Sequence, residues 1–345
     1  YESGGDCREI ASLEYDEYVE AYRRFYVPSN MMLFLYGDIS LEEKLRMLDE
    51  EYLKNRDGGV QVERCGLTPK WSAPKKHFAR SGAENGESGA TVMVSWLLGD
   101  NAVPGNSTLL SLIVDILLGS PGCPLYKAIS ESDLGTDLST ESGMSSSYRE
   151  LTFSAGFSGS DEADADRIES FIMDTLRTIV RDGFDRKAIE AAIRRMEFSV
   201  REIPAGMPMG MRLFFQAEKA LTFGTDPDEM LSASSIIAGI RGNWEENPRF
   251  FEDWIKENLI ENNHRLLAVI SKDPSYSESI RSTIAKELER RKGEYSKDDE
   301  EAFIRFQQTP DPADALSLIP RLSVDDLPHR ISRIKHSQRE GIYLM

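Results

Sequence analysis

Histidine is scarce and cysteine scarcer: four histidines and three cysteines are spread over 345 residues. His77, His264, His329 and His336 have no second ligand at the i+3 or i+4 spacing that puts two side chains on one helix face. No H-x-x-E-H occurs either, so no metal ligand and no catalytic residue is assigned within the chain. Cys7, Cys65 and Cys123 are odd in number and far apart. That argues against a disulfide framework and for a reducing compartment. No apolar run approaches the roughly 18 residues of a membrane span, and no signal or transit peptide pattern is visible. Basic residues are outnumbered, 41 against 59 acidic ones, which leaves a formal charge of −18. Such a surface repels phosphate backbones and anionic lipid, so neither nucleic acid nor membrane is an expected partner, whereas basic or neutral peptides are compatible with it. The chain starts at Tyr1 without a Met, and a fragment of a longer protein is expected.

What the sequence does contain is alternating helical and strand patterning. Tyr15, Tyr18, Val19, Tyr22, Phe25 and Tyr26 share a helical face, ended by Val27-Pro28. The all-apolar stretch 31–36 reads as a strand between layers. Ser40 with Glu43 forms the pattern of a capping box, opening a helix that buries Leu41, Leu45, Leu48 and Tyr52. After "NRDGG" at 55–59, Val92, Val94, Trp96 and Leu98 alternate as a strand. Helices are expected near 107–118, from Pro124 to just before Gly135, at 163–181 and at 185–202, and two or three more reach Leu259. Strands are expected at 137–142, 148–158 and 265–270. The stretches "NMMLFLYGDIS" and "NHRLLAVISKDPS" share one order of residues, which suggests a tandem repeat of a large α+β unit. Residues from 276 onward read as a charged helical hairpin interrupted near Gly293, and "GIYLM" as the start of a new strand.

Few of these stretches carry chemistry. Cys123 opens a helix, where main-chain N–H groups stabilise a thiolate; a small packing residue in a tight turn is the competing reading. "SGGD" and "GSPG" do not fit a phosphate loop. Met207, Met209 and Met211 form either an adaptable surface or loop and core. The acidic runs 161–166 and 298–301 read as a solvated helix start and a solvated hairpin. One stretch could bind a ligand. Leu138, Ser139, Thr140, Glu141, Ser142 and Gly143 would form a Ser-rich edge strand to which a peptide can add; the alternative is an edge kept soluble by its hydroxyls and carboxylate.

"SGGDCREIASLEYDEYVEAYRRFYVPSNMMLFLYGDIS" resembles the end of the catalytic domain of pitrilysin/insulinase-type zinc peptidases, above all their presequence-protease and falcilysin branch. Cys7 stands where that family usually has Pro, and Val27 where it has His. "GCPLYKAISESDLG", with Cys123 for Ser, "MPMGMRLFFQAEKALTFGTDPDEML", "LIENNHRLLAVISKDP", "FQQTPDPADALSLIPRLSVDDL" and "GIYLM" continue the likeness in order. The resemblance implies an α+β fold: residues 1–58 end a first, catalytic domain, and 59–275 form a complete non-catalytic domain with an antiparallel sheet flanked by helices. Residues 276–328 would be a hairpin linker and 329–345 the start of a third domain. It further implies a zinc-dependent parent that degrades unfolded peptides in a closing chamber, with the Zn2+ ligands before Tyr1 and the partner domains on the same polypeptide. By position, 138–143 would be the strand that anchors substrate in insulinase-type relatives. A bacterial cytoplasm or an organelle matrix is the expected setting. The alternative is a non-catalytic relative serving as a structural or peptide-binding subunit.

Overall fold

The computed structural model describes residues 5, 7–10, 12–54, 66–83, 88–202, 206–294, 296–310, 323–326, 337–339 and 342–344. The chain divides into two compact units, Tyr1–Arg281 and Ser282–Met345. The expected boundary near residue 58 lies outside the described residues.

The first unit opens with three helices, α1 (Cys7–Ile10), α2 (Tyr15–Phe25) and α3 (Leu41–Leu48). Pro28 starts a single 3-10 turn after α2, as the restriction on Val27 requires. The burial read from periodicity does not hold here. Tyr15, Tyr18, Tyr22 and Tyr26 are exposed, and so are Leu41, Leu45 and Tyr52. Ser40 makes no side-chain cap, because the first turn of α3 lies in solvent and water can satisfy its N–H groups. The expected strand at 31–36 is also absent. Met31 is extended (φ −103°, ψ 138°), but no described strand pairs with this segment. Instead the Phe34 ring packs edge-on against Phe214 at 5.7 Å between centroids, and Tyr36 lies over Gly210, where a Cβ would come within 2.6 Å of its ring. An extended segment becomes a strand only when a neighbour takes its N–H and C=O groups. The repeat suggested by sequence is therefore not seen as a repeat of strands.

The remainder of this unit is β1 (Lys75–Gly82), β2 (Ala90–Asp100), α4 (Asn106–Leu118), α5 (Pro124–Ser130), β3 (Asp137–Leu138), β4 (Gly143–Ser145), β5 (Glu150–Ser160), α6 (Ala165–Asp182), α7 (Arg186–Arg201), α8 (Met209–Phe223), α9 (Pro227–Leu231), α10 (Ala233–Glu246), α11 (Phe250–Ile255) and β6 (Arg265–Asp273). The sheet runs β1-β6-β2-β5-β3, with β4 also on β5. It is antiparallel as expected except at one edge, where β1 runs parallel to β6. Parallel neighbours need a long connection, and here it takes in β2 to β5 as well as helices α4 to α11. "KKHFARSG" has no alternation, so β1 carries no strand signal; it is an exposed edge.

One sheet face carries Val92, Val94, Trp96, Leu151, Phe153, Ala155, Phe157, Leu267 and Val269, all almost completely buried in the helical layer. α6 presents Ile168, Ile172, Leu176 and Ile179, an i, i+4, i+8, i+11 stripe. α4 is buried on several sides, which accounts for its near-continuous apolar sequence. Trp96 sits at the centre, stacked on Phe153 at 5.5 Å, and its Nε1–H donates to the Leu259 carbonyl at 2.8 Å.

α7 is tied to α8 by Arg212. Its guanidinium donates to the carbonyls of Ser199 at 3.3 Å, Val200 at 3.1 Å and Glu202 at 3.3 Å, groups the helix cannot satisfy internally. Arg212→Met keeps the stem and removes these bonds. A loss of about 1 kcal/mol in urea unfolding is expected, with faster hydrogen exchange confined to the end of α7.

α12 (Pro274–Lys292) leaves β6 directly and crosses the division between the units. In the second unit α13 (Lys297–Gln308) follows after the break at Gly293, giving the expected pair of helices. Ser296 caps α13 in a reciprocal box: its Oγ accepts from the Asp299 N–H at 3.2 Å, and its own N–H donates to the Asp299 carboxylate at 3.0 Å. β7 (Ser337–Arg339) pairs with β8 (Ile342–Leu344), the strand expected in "GIYLM".

Candidate functional site

Residues 138–143 lie at the β3–β4 edge of the sheet, but not as one strand. β3 pairs Asp137 with Ser158 and Leu138 with Phe157. β4 pairs Gly143 with Ser154 and Ser145 with Thr152. Between them Ser142 N–H donates to the Ser139 carbonyl at 2.9 Å, closing a turn through Thr140 and Glu141. This corrects the uninterrupted strand read from sequence. The turn is held inward: Ser139 N–H donates to the Gly156 carbonyl at 2.9 Å, and Gly156 N–H donates to Ser142 Oγ at 3.2 Å. Ser139 is buried and Glu141 exposed. A Ser-rich sequence here therefore supplies turn ligands, while the outer edge is offered in two short segments around a bulge, a common device on sheet edges.

The other residues singled out by sequence stay apart. Cys123 precedes α5, and its thiol donates to the Asp115 carbonyl at 3.3 Å beside Ser120 Oγ, tying the turn after α4. Asp161 caps the turn before α6 through Ala163 N–H. His77 lies on β1 and His264 just before β6; His329 and His336 fall outside the described residues. Among the described residues no three His, Cys, Asp or Glu side chains gather as a metal site.

Two features had no clear sequence signal. The first is a cleft of about 620 Å3 between α2 and the end of α3, lined by Tyr22, Phe25, Tyr26, Met31, Leu48 and Tyr52. The aromatic periodicity of α2 marked a sticky face but not that it would stand open. The second is the surroundings of His264. This imidazole is 4% exposed and packs against Trp71, 4.7 Å between centroids. Its Nε2 has no partner. Burial pushes its pKa down from the ordinary 6.5; the Glu150 carboxylate opposes that, and Lys70 and Lys75 add to it.

No helix among the described residues is long and apolar enough to cross a membrane. Residues 12–196 match the family model of the peptidase M16 inactive domain. Presequence protease 1 (chloroplastic/mitochondrial) of Arabidopsis thaliana is 29% identical over 345 residues, covering 95% of this chain and 32% of that protein. Protein HypA of Clostridium perfringens is 27% identical, covering 98% and 36%, and the mitochondrial presequence protease of Xenopus tropicalis is 27% identical, covering 95% and 33%. The chain thus spans about a third of the length of these relatives. Among solved structures, the peptidase M16 inactive domain from Pseudomonas fluorescens superposes with a TM-score of 0.57 at 15% identity, covering 79% of this chain and 61% of that one. An M16-like peptidase from Alicyclobacillus acidocaldarius gives 0.51 at 17%, with the same coverage. At such identities the likeness speaks for the fold alone. The chain belongs to the peptidase M16 family, the pitrilysin/insulinase superfamily, on its presequence-protease branch, and its sheet with the helices on it has the fold of that family's inactive domain.

Proposed function

We propose that this chain is the central scaffold of a zinc-dependent peptidase that degrades unfolded peptides, and that the β3–β4 edge is where substrate backbone docks. On this reading residues 1–58 close a catalytic domain whose zinc ligands belong to the parent protein outside these residues. Residues 59–275 form a non-catalytic wall of the chamber, 276–328 a hinge and 329–345 the entry to a third domain. The open cleft between α2 and α3 and the segment 31–36, with which no described strand pairs, support it: both are faces of the kind a further strand and its neighbours would cover. The acidic balance suits basic or neutral peptide substrates. Taken alone, the chain is then inactive and holds no zinc after dialysis; stoichiometric retained zinc would contradict this.

The observation that carries the docking proposal is the edge itself, short segments with one side paired to β5 and no strand among the described residues on the other. Adding an unstructured basic peptide should slow hydrogen exchange at 138–145 and leave the helical layer unaffected. Exchange unchanged under saturating peptide would end the proposal. A peptide-binding subunit without catalysis, the second reading, predicts the same protection but a full-length parent without H-x-x-E-H.

A further inference from the structure

Residues 66–74 cross the end of the sheet before entering β1. They are held there by side chains from elsewhere in the first unit. Thr68 donates to the Glu150 carboxylate twice, from N–H at 2.9 Å and from Oγ1 at 2.5 Å. Trp71 packs on the His264 ring. The Ser72 carbonyl accepts from Asn263 Nδ2 at 3.2 Å. Lys75, at the start of β1, places Nζ 4.1 Å from the Trp71 ring centroid. The strap has only two large apolar side chains, Leu67 and Trp71, so these ties position it.

We propose that this strap is a latch, held closed by the neutral His264 ring and released when the ring is protonated. The geometry supplies the reason. His264 is buried with an unpartnered Nε2, so a second N–H on the ring would meet no acceptor. The charged groups around it come from three elements: Lys70 from the strap, Lys75 from β1 and Glu150 from β5. Two are cations, and one of them already occupies the face of the Trp71 ring, for which an imidazolium would compete. The one carboxylate is engaged by Thr68. A proton on His264 therefore either draws Glu150 away from Thr68 or drives the ring out toward water, and each movement removes a tie on the strap.

The sign follows from burial. A histidine whose pKa is lower in the folded state contributes stability above its ordinary value of 6.5, and that contribution is lost as pH falls. The latch is thus closed at neutral pH and opens on the acid side. The inference does not depend on any peptidase activity.

The test is Trp71 fluorescence in the full chain, taken as the difference from Trp71→Phe, titrated from about pH 8 to about pH 5, where histidine changes charge. A sigmoidal change below pH 6.5 is expected, and it should vanish in His264→Phe, which keeps a ring against Trp71 and cannot titrate. Thr68→Val alters an exposed residue; it removes the Oγ1 bond to Glu150, keeps the main-chain one, and so loosens the carboxylate to meet the imidazolium, and the midpoint should move to higher pH. A flat wild-type signal, or a transition that survives in His264→Phe, overturns the proposal. If His264→Phe does not fold, a midpoint that stays or falls in Thr68→Val overturns it instead.

Discussion

Trp96→Ala should lower the unfolding free energy by about 4 kcal/mol, read by urea denaturation with far-UV circular dichroism. Three losses combine. Trp96 is 1% exposed in the middle of β2, so truncation leaves a cavity ringed by groups that cannot all collapse inward. Its stacking on Phe153 is lost, and with it the contact between the two central strands on the core face. The Leu259 carbonyl, just before the turn into β6, also loses its indole donor. Trp96→Phe separates these. It keeps most of the volume and the stacking but not the N–H, and a cost of about 1–2 kcal/mol is expected. If the two variants cost the same, the hydrogen bond to Leu259 would outweigh the packing around the indole, and the cavity account would be wrong.

That position was legible in the sequence. Val92, Val94 and Trp96 alternate because β2 is covered on one face, and alternation is the signature of a half-buried strand. Leu151, Phe153, Ala155 and Phe157 carry the same signal for β5, and α4, α6 and α7 lie within a residue or two of the ranges expected from the sequence. What could not be read was anything set by a distant partner. β1 is strand only because β6 lies beside it, and its own residues are an edge's polar mixture. Residues 31–36 have a strand's composition, and Met31 is extended, but no described strand forms a ladder with them, since composition does not supply a neighbour. α2 and α3 have apolar faces that stand open. At the candidate docking edge the error was of a different kind. Ser139 and Ser142 looked like the polar face of a strand, whereas their groups hydrogen-bond across the turn and to Gly156. Short hydroxyl side chains serve turns as readily as strand surfaces, and the sequence does not say which. His264 was seen only as a lone histidine, because its stack on Trp71 joins residues almost two hundred positions apart.

Gly156→Ala is the second large effect expected, a destabilisation of about 3 kcal/mol from one methyl group. Gly156 faces Met93 across the two central strands, β5 and β2. A Cβ there would stand 2.5 Å from both Cα and Cβ of Met93, and closer still to the Val92 carbonyl oxygen. Those are largely main-chain atoms, so no rotamer change clears them; the strands must part at their centre. The comparison is Gly239→Ala. Gly239 is exposed within α10, where an added Cβ meets nothing within 4 Å, so the same change should stabilise by about 0.5–1 kcal/mol by favouring the helical backbone. Opposite signs for one chemical substitution would place the cost of Gly156→Ala in strand separation rather than in glycine's flexibility. The site also reaches the proposed function. Gly156 is the residue of β5 that holds the turn at 139–142, accepting from Ser139 and donating to Ser142. Parting the strands there shifts the support of the β3–β4 edge. Under conditions where Gly156→Ala is still folded, peptide-induced protection at 138–145 should therefore be weakened, while Gly239→Ala leaves it intact. Full protection in folded Gly156→Ala would mean that the peptide docks elsewhere.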